Sequence, residues 1–83
     1  MQNIHTMKQN VTQQDVERYK QAYRASIIRI NNSPEYQTLD DDGLQNALHL
    51  PTDEEIKALL ENYGGTPEGQ AEMAANIEMN YAH

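Results

Sequence analysis

From Val16 through Tyr19, Tyr23, Ile27 and Ile30, apolar residues recur at steps of three and four. That spacing lays a narrow apolar stripe along an amphipathic helix. Thr12, with Asp15 three residues later, predicts its start: the hydroxyl satisfies an orphan backbone donor and the acid sits at the positive end of the helix dipole. Asn31-Asn32-Ser33-Pro34 predicts its end, because a residue before proline is pushed out of the helical region. Ile28 falls off the stripe and needs another neighbour.

Three further helices follow from the same punctuation. Leu44, Ala47 and Leu48 stand at helical spacing behind Asp40-Asp41-Asp42-Gly43, a short segment capped by an aspartate and closed by His49-Leu50-Pro51. Thr52 to Glu55 carries the Thr-x-x-Glu capping box, and Ile56, Leu59, Leu60 and Tyr63 form the expected inner face behind it. Gly64-Gly65 supplies the positive φ at which such a helix stops. Thr66-Pro67 opens the last helix with a cap and a proline at its first position. Its large apolar residues, Met73, Ile77 and Tyr81, predict the core face, with Ala71, Ala74 and Ala75 beside them.

No useful length of chain alternates with period two, so no sheet is expected. The pattern predicts an all-α, four-helix domain, with helices over 12–32, 41–49, 53–63 and 67–81. Residues 1–11, rich in amides and without periodicity, read as a frayed arm ahead of a single domain over 12–83.

Composition makes the domain marginal. The chain has 83 residues, and its Leu, Ile, Val and Phe number fourteen. A core of that size leaves room for oligomerisation or a partner to contribute stability. Five Tyr and four Met enlarge the buriable set. With no cysteine there is neither a disulfide framework nor a thiolate metal site, which points to a reducing, cytoplasmic setting. No apolar run approaches the length that spans a bilayer, and the first ten residues lack the hydrophobic segment of a secretory signal.

The charge is divided along the chain. Residues 1–33 hold five cations against two acids; residues 34–83 hold Lys57 alone against eleven acids, and the net charge is −7. A potential of one sign selects what approaches it. Basic residues interleaved with Tyr19 and Tyr23 raise a nucleic-acid reading, but those tyrosines lie on the apolar stripe. A net charge of −10 beyond residue 33 also repels a phosphate backbone. Direct nucleic-acid binding is not expected.

Catalytic patterns are absent. Ser26 and Ser33 have no nucleophile elbow, Gly64-Gly65-Thr66 lacks the lysine of a phosphate loop, and His5, His49 and His83 show no paired metal spacing. Asp40 and Asp42 before Gly43 suggest a calcium loop, but its first and twelfth positions would be Thr38 and His49. No enzyme activity, metal or cofactor is expected.

The remaining reading is a non-catalytic protein-binding module, an inhibitor or antitoxin-like neutraliser. Its acidic helices would meet a basic surface on a partner protein. The candidate contact residues are Asp40, Asp41, Asp42, Asp53, Glu54 and Glu55, with Tyr36 as an aromatic anchor. Two alternatives stand beside it. Leu59-Leu60-Glu61-Asn62-Tyr63-Gly64-Gly65 resembles the double-glycine junction of ribosomally made peptide precursors, which implies a leader ending near Gly64-Gly65 and a processed tail. The tail from Thr66 has no Cys or Ser and one Thr, unlike most such cores. The other is a homo-oligomeric structural module joined through Ile28 and Leu50. Acidic bacterial immunity proteins are similar in size, charge and helical class, but their paired tyrosines before a proline are missing here.

Overall fold

A computed structural model describes residues 10–35 and 38–82 of the chain. The described residues form four helices and no strand: α1 (Gln13–Asn31), α2 (Asp41–Ala47), α3 (Asp53–Tyr63) and α4 (Pro67–Ala82). Each start has the local chemistry its sequence predicts. The Thr12 hydroxyl accepts from the Asp15 N–H at 3.2 Å while the Asp15 carboxylate accepts from the Thr12 N–H at 3.0 Å. Thr52 and Glu55 repeat the exchange at the head of α3. Asp40 caps α2 through the Gly43 N–H at 2.8 Å, and Thr66 caps α4 through the Gly69 N–H at 3.0 Å. Val11 sits half-buried against the core.

The turn from α3 to α4 requires glycine. Gly64 has φ 71° and ψ −159°, and Gly65 has φ 78°. A side chain is strained in that region of backbone space. Gln70 closes the turn by donating from Nε2 to the Gly64 carbonyl at 3.0 Å.

Helix α1 is the spine. Its predicted stripe is the observed one: Val16, Tyr19, Tyr23, Ile27 and Ile30 are all buried. Along one flank lies α4, the most extensive partner of α1. Small residues explain the closeness. Ala71 and Ala75 are fully buried on α4, and Ser26 of α1 is buried too, with Ala22 packed partly buried against the core. With so little side chain at the contact, the two backbones can approach closely.

The other flank of α1 receives α3, while α2 packs against α4 and is tied to α1 by a hydrogen bond. Tyr23 reaches across to donate its hydroxyl to the Ala47 carbonyl at 2.8 Å, satisfying an acceptor at the end of α2. Buried Asn31 holds the connection into α2, accepting from the Leu39 N–H at 2.8 Å. Ile56 and Leu60 bring α3 onto the core.

Two expectations of the apolar pattern are overturned. Met73, Ile77 and Tyr81 do not face the core; they are 57%, 52% and 86% exposed, and Ala71, Ala75 and Met79 are buried in their place. Tyr63, expected on the inner face of α3, is 76% exposed at the last residue of that helix. The reason is packing distance. A face of alanines lets α4 settle against α1, whereas the bulkier face would hold the two helices apart.

Candidate functional site

Because α4 leans on α1, it leaves α3. The two helices join through the glycine turn but make few contacts with each other, and a cleft opens between them. Its outer half, about 220 Å³, is lined by Leu59, Tyr63, Gln70, Met73, Ala74 and Ile77. An inner half of about 410 Å³ shares Leu59 and Ala74 and continues over Tyr19 and Tyr23 to His49, Pro51 and Glu78. Tyr81 stands one helical turn beyond Ile77 on the same side of α4.

The floor of the cleft is aromatic. The Tyr19 and Tyr23 rings stack with centroids 6.3 Å apart and planes 7° from parallel. Burial raises the pKa of both phenols, and nearby Glu78 helps push that of Tyr23 up to about 12. Both stay neutral near pH 7. The walls are uncovered: Tyr63, Met73 and Ile77 are all more than half exposed, and Tyr81 beyond them is more exposed still.

Charge avoids the outer cleft. Among the described residues no ionisable side chain lines it except the Tyr63 phenol, and the inner half adds Glu78 and His49 to the phenols of Tyr19 and Tyr23. Three of the four cations of α1 are turned to other work. Arg18 grips Glu68 with two hydrogen bonds of 2.8 and 2.6 Å, and Arg29 reaches Glu72 at 3.1 Å. On the other flank Lys20 meets Asp53 at 2.6 Å. The hydrogen bonds from Lys20 and then Gln13 hold the Asp53 carboxyl below its usual range, and the bonds from Arg18 do the same for Glu68. Thus the basic helix neutralises acids of α3 and α4 within the molecule, although exposed pairs of this kind add little stability.

The carboxylates singled out from the sequence fall into two groups. Asp40 and Glu55 serve as helix caps and Asp53 as the partner of Lys20 and Gln13. Asp41, Asp42 and Glu54 are exposed in the first turns of α2 and α3. Tyr36 lies outside the described residues, as do His5 and His83. Among the described residues no cluster of three His, Cys, Asp or Glu could hold a metal, and the Asp40 carboxylate is used on its own helix. Of the positions proposed for self-association, Ile28 is 47% exposed and Leu50 half-buried. The apolar cleft itself went unpredicted, because its wall residues were assigned to the core.

A recess of about 240 Å³ near Val11, Leu60 and Pro67 holds Asp15 and Arg18, which pair with each other at 3.3 Å. No described helix is long and apolar enough to cross a membrane. No family model matches the chain, and no curated protein or solved structure gives a match either.

Proposed function

We propose that the chain is a small acidic, non-catalytic protein-binding module whose partner presents a basic surface and inserts apolar side chains between α3 and α4. The observation that carries this reading is the uncovered wall of Tyr63, Met73 and Ile77 beside Leu59. Tyrosine and methionine with few charges is the composition of an interface centre. Asp41, Asp42 and Glu54, free of capping and ion-pair duties, are the carboxylates suited to steer a basic partner toward it. Inhibitor or antitoxin-like neutralisation is one use of such a module.

Site-specific photo-crosslinking in cells tests the proposal. A photoreactive residue at Ile77 or Tyr81 is expected to form a discrete protein adduct, and one at Arg24, also exposed, is not. Addition of Met73→Asp should abolish the adduct. No adduct from the cleft positions, or equal labelling from Arg24, would refute the reading.

A further inference from the structure

The cleft between α3 and α4 has the features of a receptor for a helix. Both walls are helices whose backbone groups are already hydrogen-bonded along their length, and no described segment is a strand with a free edge. A partner therefore cannot gain affinity by extending a sheet. It must dock through side chains while satisfying its own backbone, and a helix does both. Met73, Ile77 and Tyr81 are spaced four residues apart on α4, a run of about 12 Å, or some two helical turns. Tyr63 lengthens the wall beyond the first of them. An apolar stripe at i, i+4 and i+7 matches that length.

Charge decides between occupants. Glu78 lies inside the cleft and Glu55 one turn before Leu59 on α3, while Lys57, the lone cation of α3, stands on the opposite side of that helix from Leu59. Of the α1 cations, Arg18, Lys20 and Arg29 are committed to Glu68, Asp53 and Glu72, and Arg24 is not among the residues lining the cleft. A second copy would bring a further net charge of −7 to a rim that is already acidic. We infer that the occupant of the cleft is a basic amphipathic helix of two to three turns, its apolar stripe between Leu59 and Ile77 and its cations toward Glu78 and the exposed acids of α3. This inference rests on the docking reading given above and names the class of partner.

The probe is a designed peptide of about 15 residues, with Leu at i, i+4, i+7 and i+11 and Lys elsewhere. Its controls are a scrambled peptide of the same composition and an analogue with Glu in place of Lys. Methyl and amide NMR of the intact chain should show the Leu/Lys helix shifting Leu59, Met73 and Ile77, with affinity falling about tenfold between low and moderate salt as screening shortens. Met73→Asp with Ile77→Asp should remove the shifts while leaving the helical circular dichroism unchanged. Equal binding by the scrambled or Glu peptide overturns the inference. So does movement of the same resonances with rising protein concentration alone, which would assign the cleft to a second copy. If the peptide leaves the cleft unmoved but crosslinks form from Ile77, the partner is not a basic helix and the docking reading survives. If crosslinks fail too, both fall.

Discussion

Truncation to alanine at Met79 and at Ile77 discriminates between the two faces that α4 could bury. Met79 is fully buried and Ile77 is 52% exposed. Removing a fully buried methionine side chain loses its transfer energy and leaves a cavity, a cost of about 2–5 kcal/mol. Burying an isoleucine completely contributes about 1.5–3 kcal/mol, so one left half open contributes roughly half as much. Alanine's better helix propensity offsets a few tenths of that. Ile77→Ala is therefore expected to cost less than about 1 kcal/mol. A chain of this size has a total stability on the order of 4–12 kcal/mol, so Met79→Ala removes a substantial fraction. Urea unfolding followed by circular dichroism measures both. The Met79 variant should move its midpoint down by about 1 M or more, and the Ile77 variant by much less. A cost at Ile77 equal to or above that at Met79 would refute the placement of α4, and with it the cleft.

Tyr23→Phe loses the hydrogen bond to the Ala47 carbonyl and should cost about 1–2 kcal/mol, or some 6 °C in melting temperature per kcal/mol. The same residue sets an alkaline limit. Its folded pKa is raised from 10 to about 12, so its contribution is complete below pH 10 and lost as pH rises toward 12; a pH titration of Tyr23→Phe should show a smaller loss, that left by Tyr19. Gly64→Ala forces a side chain into a glycine-only conformation and should destabilise by about 1–3 kcal/mol in chemical denaturation. Thr52→Ala breaks the capping box of α3 and should cost about 1 kcal/mol, with hydrogen exchange rising first at Glu54 and Glu55.

Helix boundaries were legible because their signals are local. Thr12, Asp40, Thr52 and Thr66 each bond a donor within three residues, and Gly64 answers a backbone requirement of its own turn. The inner face of α1 was legible because its large apolar residues lie on one stripe. Helix α4 was not, since apolar residues occupy several sides of it and size alone does not say which side packs. There the small face won, because Ala71 and Ala75 admit a close neighbour that Met73 and Ile77 would hold away. Ala71 and Ala75, four residues apart on one side of α4, were the signal that could have found it. The division of charge is legible in the sequence, but the match of Arg18 to Glu68 or Lys20 to Asp53 depends on the three-dimensional course of the chain. Asn31 was read as a helix end, and its grip on Leu39 across a turn had no sequence signature.

The dominance of the α1–α4 contact has a consequence for how the chain acquires its structure. Helix α1 is made first, yet the element that covers most of its stripe is made last. At ~5–20 residues per second, Tyr19, Tyr23 and Ile27 wait on the order of seconds for Ala71, Ala75 and Met79 to be synthesised. Contacts between such distant segments also raise the contact order above that of a bundle of sequential hairpins, which slows folding. During that interval an apolar stripe flanked by cations is open to solvent, and it is then, before α4 arrives, that the nascent chain is most exposed to chaperones and to aggregation.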